Sequence, residues 1–132
     1  MTIDIVKTKT YIPDFNGNKE LTEPDQVVVT YRAATIEIKE RLKGTVKNVG
    51  RYDEAGNYKG METTLVNTTD EQLMSELLVG IKGAAYKDGD KVIEVKDVKS
   101  LLSAPIEFDA LKTEIVSVFR KEVYREKVNE KN

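Results

Sequence analysis

The chain has 132 residues, of which 21 are basic and 23 are acidic, and it contains neither cysteine nor histidine. Without thiol or imidazole groups, disulfides, thiolate zinc sites and Ser–His or Cys–His catalysis are excluded, and a metal ion would need oxygen ligands alone. The length fits one domain with a single hydrophobic core. We therefore predict a protein that is not an enzyme and that has no catalytic residues, no bound metal and no cofactor.

Charge and hydropathy narrow the range of partners. The formal charge of −2 leaves no basic excess for binding nucleic acid. Four tyrosines lie in the first half: Tyr11, Tyr31, Tyr52 and Tyr58. We interpret them as residues that pack on a sheet edge, not as residues that stack on the bases of a nucleic acid. No apolar run reaches the roughly 18 to 20 residues of a membrane span, and the first residues lack the pattern of a signal peptide. The sequence thus predicts a cytoplasmic protein that binds neither nucleic acid nor membranes.

The first part of the chain has the pattern of a hairpin followed by a helix. Alternating apolar residues predict strands over residues 3–12 and 26–32, and the loop between them is rich in turn-forming residues. A helix is predicted after Thr35, which can cap its first turn. Gly44 can end that helix.

A second hairpin and a longer helix are predicted next. Residues 45–66 form the hairpin, with its turn at 53–57 and a bulge at Gly60. Thr69 and Gln72 match a capping box at the start of the helix. Apolar residues then follow at helical spacing up to a stop at Gly83, and they are Leu73, Met74, Leu77, Leu78 and Ile81.

The last part of the chain is predicted to be mainly helical. Residues 87–90 read as a turn and 92–95 as a short strand. Asp97 can cap a short helix, and Pro105 can start a final helix that runs from Ile106 towards Asn132. We predict an α+β fold, with N-terminal antiparallel β-hairpins packed against a mainly helical C-terminal half. It forms a single domain, residues 1–132, whose last residues, about 125–132, are a frayed polar tail.

Three polar clusters raise the question of a metal site. Asp14, Asn16, Asn18 and Asp25 fall at four ligand positions of a calcium loop, but Lys19 stands where such a loop requires glycine. The other two clusters are Asp88 with Asp90, and Asp53 with Glu54 and Asn57. We interpret all three as turns, because Asx and Gly residues favour turns without a bound ion.

An apolar stripe on the predicted final helix is the candidate partner-binding surface. Its residues recur every three or four positions and are Phe108, Leu111, Ile115, Val118 and Phe119. Such a stripe ordinarily packs against its own domain. The alternative is that part of it docks a partner helix or groove, since a terminal helix beside a polar tail can swing or swap.

The second half resembles small phage tail assembly proteins. The similar segments are 77–83, 87–91 and 97–105, followed by Leu111 and Ile115. In that family a helix ends in a turn containing Asp and Gly, and a short Leu-Leu helix closed by Pro precedes the final helix. The hairpin at 45–66 is a departure from the family pattern. The resemblance implies a tail assembly chaperone, which keeps the tape measure protein soluble in the host cell cytoplasm and offers no catalytic residues.

Three hypotheses of function follow. The first is a non-enzymatic factor in phage or prophage tail assembly that binds the tape measure or tail tube protein, with a homo-oligomer as a further option. The second is a structural virion component, such as a tail tube, connector or completion protein, in which the loop from Pro13 to Asp25 orders on assembly. The third is a small enzyme or ligand-binding domain that uses carboxylates, and paired acids in a deep pocket would favour it.

Overall fold

The computed structural model describes residues 1–42, 44–66 and 68–124, and at positions 45–47, 65 and 66 it describes the backbone alone. The strands are β1 (Thr8–Tyr11), β2 (Val28–Arg32), β3 (Thr45–Tyr52), β4 (Tyr58–Val66), β5 (Leu78–Lys82), β6 (Ala85–Asp88) and β7 (Lys91–Glu94). The helices are α1 (Ile36–Leu42), α2 (Asp70–Leu77), α3 (Val98–Leu102) and α4 (Asp109–Tyr124), with 3-10 turns at Phe15–Glu20, Glu23–Asp25 and Ile106–Phe108. The predicted α+β class is confirmed. The predicted frayed tail, 125–132, lies outside the described residues.

The core lies between a three-stranded antiparallel sheet, in the order β1–β2–β5, and the helices. Helix α2 packs against α4 and against β2 and β5. Tyr31 of β2 and Phe119 of α4 bring their ring centroids to 5.2 Å. The side chains buried most completely are Pro13, Val29, Leu73, Met74, Leu77, Val95, Leu101, Leu111, Ile115, Phe119 and Val123. Because these residues come from both halves of the sequence, the described parts of both halves share one core.

The predicted helix starts are confirmed. Thr69 accepts a hydrogen bond from the amide of Gln72, whose side chain accepts one from the amide of Thr69, so the capping box is complete. Asp97 caps α3 in the same reciprocal way with Ser100. The Oγ1 atom of Thr35 accepts a hydrogen bond of 3.1 Å from the amide of Ile38 in α1. These contacts satisfy amides that a helix start leaves without an intrahelical partner.

The predicted helix over residues 73–83 is wrong in its second half. Helix α2 ends at Leu77, and the chain continues directly as β5, which pairs with β2. Tyr31 lies opposite Leu78, but Thr30 lies opposite Gly80, so Val79 is an extra residue in β5. This bulge turns both Leu78 and Ile81 towards the core. Two buried residues three positions apart therefore imitate a helical period within a strand.

Both predicted N-terminal hairpins form. Strands β1 and β2 pair in antiparallel, although β1 is confined to Thr8–Tyr11, shorter than the predicted 3–12. Strands β3 and β4 pair over their whole length. Arg51 lies opposite Gly60 and Tyr52 lies opposite Tyr58, so Lys59 is the extra residue of a bulge. The bulge expected at Gly60 is thus present in the returning strand.

The turn predicted for residues 87–90 belongs to a third hairpin, formed by β6 and β7. Strands β6 and β7 pair from Ala85 opposite Glu94 to Asp88 opposite Lys91. The turn predicted for residues 87–90 is therefore limited to Gly89 and Asp90, and Gly89 takes a positive φ of 63°. The final helix begins with the 3-10 turn after Pro105, and the described part of α4 ends at Tyr124.

Candidate functional site

The predicted partner-binding stripe lies in the core. Leu111, Ile115 and Phe119 have no exposed surface, Phe108 is buried and Val118 is partly buried. The ring of Phe108 lies 5.6 Å from that of Phe15 and 5.7 Å from that of Tyr86, measured between centroids. In this conformation the stripe is part of the core. Docking of a partner through the stripe stays a prediction, and it would require α4 to leave the domain.

Polar contacts near the C-terminal end of α4 hold this helix against the sheet. Lys9 donates to Glu122 over 2.7 Å, and the amide of Ala34 donates to the other carboxylate oxygen over 2.9 Å. Burial raises the pKa of Glu122, but these two hydrogen bonds outweigh it and the pKa lies below its ordinary value. Arg120 adds an ion pair of 2.7 Å to Asp70 at the start of α2. These contacts tie α4 to β1, to the chain after β2, and to α2.

The cluster that resembles a calcium loop stabilises the loop between β1 and β2 by contacts within that loop. Asn18 is buried, and its amide group donates to the carbonyls of Pro13 and Val27, over 2.9 Å each. Its side-chain oxygen accepts from the amide of Val27 over 2.6 Å. Asp14 forms an ion pair of 2.9 Å with Lys19. The side chains of Asp14 and Asn18 are therefore used within the loop, as expected for a turn.

The two remaining clusters are turns as well. The carboxylate of Asp53 accepts from the amides of Ala55 and Asn57, and the hydrogen bond from the amide of Asn57 is the main cause that lowers its pKa. Asp88 ends β6, and Asp90 lies with Gly89 in the exposed turn between β6 and β7. Within residues 1–42, 44–66 and 68–124, no three acidic side chains converge where they could hold a metal ion.

A cleft between α1 and α2 bears on the carboxylate hypothesis. It has a volume of ≈ 380 Å³ and is lined in part by Arg41, Glu71 and Glu76. Arg41 lies 2.8 Å from Glu76, so this acid is paired with a base. An acid beside a base keeps its charge, whereas two acids in contact would raise the pKa of one of them for proton transfer. The cleft does not show the paired acids that the hypothesis requires.

The hairpin of β3 and β4 presents an exposed apolar surface. Among the described residues, the two strands pack chiefly on each other, and no other helix or strand packs extensively against them. Tyr52, Tyr58 and Met61 are 66%, 59% and 57% exposed. Tyr52 lies opposite Tyr58 and Gly50 lies opposite Met61, so all project from one face. We call these three side chains the tyrosine–methionine face.

The geometry of this face is specific. The two tyrosine rings meet edge to face, with 5.7 Å between centroids. A β-carbon at Gly50 would come within 3.3 Å of the Tyr52 ring, so glycine lets the ring lie over the strand. On the opposite face Arg51 lies 4.0 Å from Glu62. Tyrosine and methionine are enriched at protein interfaces, where they contribute large contact areas.

The residues before β1 form a second exposed apolar element. Residues 1–7 lie outside regular secondary structure and are exposed throughout. Ile3, Ile5 and Val6 are 74%, 81% and 61% exposed. The carbonyl of Lys7 accepts from the amide of Ala33 over 3.0 Å, which fixes the end of the segment beside the chain that follows β2. We call residues 1–7 the N-terminal segment.

Sequence reasoning missed these surfaces for a physical reason. Periodicity identifies an apolar side of a strand, but it does not tell whether another element covers that side.

The described part of the chain contains no helix with both the length and the apolar character needed to cross a bilayer. Comparisons of the chain with models of protein families, with curated proteins and with solved structures find no match.

Proposed function

We propose that the protein is a non-enzymatic binding factor for the assembly of a phage or prophage tail, acting in the host cell cytoplasm as a chaperone of the tape measure protein. The tyrosine–methionine face is the observation that carries this proposal, because exposed apolar clusters on soluble domains mark binding sites. The resemblance of residues 77–105 to tail assembly proteins supports the identity of the partner. Because the α4 stripe is buried in the core, we propose that the partner contacts the β3–β4 hairpin and not α4.

The chemistry of the face fits an apolar, elongated partner. Two tyrosine rings and a thioether give adaptable apolar area with polar hydroxyl groups at its edge, and such surfaces accept varied side chains. A protein that shields the apolar stripes of a long helix needs this tolerance more than it needs a deep, specific pocket. The contact would cover apolar side chains of the tape measure protein that otherwise drive aggregation.

Co-expression with a tape measure protein from the same gene cluster tests the proposal. We expect the wild-type chain to keep that protein in the soluble fraction. A variant with Tyr52→Ser, Tyr58→Ser and Met61→Ser is expected to lose this effect while it stays folded. The matched control replaces three exposed apolar residues elsewhere, Leu21→Ser, Ile36→Ser and Val92→Ser, and is expected to act like the wild type. Unchanged solubility with the wild-type chain would reject the chaperone function.

A structural virion component is the second candidate. Among the residues that the structure describes, no third strand pairs with the β3–β4 hairpin. This favours a structural component, since unpaired edges can join subunits into a larger sheet. Purified particles separate the two functions. A virion subunit remains in the particle at a fixed stoichiometry, whereas a chaperone is absent from it.

A further inference from the structure

Asn16 is the asparagine of this chain that is followed by glycine. The side-chain amide of an asparagine is lost when the backbone nitrogen of the next residue attacks its carbonyl carbon and closes a five-membered ring. A side chain on that next residue crowds the nitrogen, whereas Gly17 has no β-carbon. The pair of Asn16 and Gly17 is therefore the place in this sequence where the attack is least hindered.

Asn16 and Gly17 occupy the two central positions of a type I′ turn. Asn16 has φ 52° and ψ 39°, and Gly17 has φ 74° and ψ 18°. These angles lie close to the type I′ values of about +60° and +30°, followed by about +90° and 0°. At this ψ the backbone nitrogen of Gly17 lies anti to the β-carbon of Asn16. The turn has to change once before the ring can close.

Rotation of the peptide unit between the two residues makes that change. The related type II′ turn has a ψ of about −120° at its first central residue and a φ of about −80° at its second. At the first of these angles the nitrogen of Gly17 eclipses the β-carbon of Asn16, within reach of the side-chain carbonyl carbon. Glycine accepts positive and negative φ almost equally, and asparagine tolerates positive φ better than most residues. Both turns are therefore accessible to this pair.

The surroundings leave this peptide unit free to rotate. Asn16 and Gly17 are both exposed. In the described part of the chain, no atom beyond its own neighbours lies within 4 Å of the place where a β-carbon of Gly17 would stand. The residues on either side are held, because Phe15 stacks on Phe108 with 5.6 Å between centroids and Asn18 is buried. The rotation thus needs no movement of the rest of the loop.

Asn57 provides a comparison within the same chain. It is also exposed and lies next to a turn glycine, Gly56. Its side chain donates a hydrogen bond of 3.3 Å to Asp53. The residue that follows it is Tyr58, whose side chain crowds the backbone nitrogen. Exposure alone would make Asn16 and Asn57 equal, so a difference between them reports the glycine and the turn.

We propose that Asn16 is a site of spontaneous deamidation, with water as the second reactant. The backbone nitrogen of Gly17 bonds to the side-chain carbonyl carbon of Asn16, and the bond from that carbon to the amide nitrogen breaks. Ammonia leaves with the proton of the Gly17 amide, and a succinimide remains. Water then opens the ring at either carbonyl, which gives aspartate or isoaspartate at position 16. The proposal does not rest on the tape measure function.

The products change the loop in two ways. Each adds one negative charge, and isoaspartate also lengthens the main chain by a methylene group close to the buried Asn18. Asn16 lines a cavity of ≈ 500 Å³ together with Phe15, Phe108 and Glu107. Both products therefore place a second carboxylate at a cavity that already has the one of Glu107. The loop of a given chain becomes more acidic as the chain ages.

Peptide mapping of the purified, folded chain tests the proposal. The chain is incubated in mildly alkaline buffer, samples are denatured and digested at intervals, and mass spectrometry measures conversion at each asparagine. We expect conversion at Asn16 to be several-fold faster than at Asn57. Conversion at Asn16 that is no faster than at Asn57 would overturn the proposal.

The products identify the route. In water labelled with a heavy oxygen isotope, we expect both isoaspartate and aspartate at position 16, each with one labelled oxygen. Aspartate alone would mean direct hydrolysis of the amide and would overturn the ring mechanism.

Asn16→Gln is the matched variant, because its longer side chain would have to close a six-membered ring. Circular dichroism checks that the variant is folded. Ion-exchange chromatography is expected to show far slower formation of the acidic species than in the wild type. If the acidic species formed at the wild-type rate, the assignment to Asn16 would be wrong.

Discussion

Replacement of Asn18 by alanine removes three hydrogen bonds from a buried position. Two run from its amide group to the carbonyls of Pro13 and Val27, and one runs from the amide of Val27 to its side-chain oxygen. A net hydrogen bond contributes about 1 kcal/mol, and a buried backbone group left without a partner costs about 1 to 3 kcal/mol. Contact with water lets the backbone groups that lose Asn18 recover part of this energy. We therefore expect a loss of about 2 to 4 kcal/mol in the free energy of unfolding.

Urea unfolding followed by circular dichroism measures this loss, and thermal unfolding should show a Tm lower by roughly 8 to 16 °C. The control is Asn16→Gly in the same loop, where the side chain is exposed and φ is 52°. Glycine accepts that conformation, so the control should change stability by less than about 0.5 kcal/mol. If Asn18→Ala were as mild as the control, the stability of the loop would not depend on the three hydrogen bonds of Asn18, and this explanation would be refuted.

A second substitution at the same position separates hydrogen bonding from size. Asn18→Asp keeps an acceptor for the amide of Val27 but brings a carboxylate towards the carbonyl oxygens of Pro13 and Val27. These oxygens and the burial are expected to raise the pKa of the new carboxyl in the folded state. Protonation then favours folding, so this variant should become more stable relative to the wild type as the pH falls from about 7 to about 5. A difference that does not vary with pH would contradict this explanation.

Three further predictions concern other contacts. Thr69→Ala removes the cap of α2 and should cost about 1 kcal/mol in urea unfolding. Gly83→Ala should cost more than about 1 kcal/mol, since φ is +85° and a β-carbon would lie 2.5 Å from a backbone carbonyl oxygen. Glu122 has a lowered folded-state pKa, so its stabilisation is present above its ordinary value of 4.5 and is lost as the pH falls through the folded pKa. Glu122→Gln should flatten this part of the stability–pH curve, and an unchanged curve would refute the role of Lys9 and Ala34.

Local signals predicted much of this fold because local chemistry decides those features. The capping box at Thr69 and the cap at Asp97 depend on residues three positions apart, and both are confirmed. The hairpin over 45–66 and its bulge are confirmed. It forms because turn-forming residues at 53–57 separate two runs of strand-forming residues. The polar loop around Asn18 is a turn, as expected from its composition.

The prediction failed where a distant partner decided the structure. Residues 78–82 continue the helical spacing of α2, but β2 offers unpaired backbone groups and an apolar face, and the segment becomes β5. The bulge at Val79 buries both Leu78 and Ile81, so the apolar pattern is satisfied equally by helix and by strand. Only the presence of β2 beside this segment selects the strand.

The candidate site shows the same division. The sequence by itself determined that thiol and imidazole chemistry are absent, that the class is α+β, and which residues are apolar enough to bind or to pack. It left the stripe of Phe108, Leu111, Ile115, Val118 and Phe119 open between core packing and partner binding. The tertiary structure packs that stripe in the core and leaves the tyrosine–methionine face and the N-terminal segment exposed. Apolarity is a property of each residue, but exposure depends on which elements pack over it, and only the folded chain decides that.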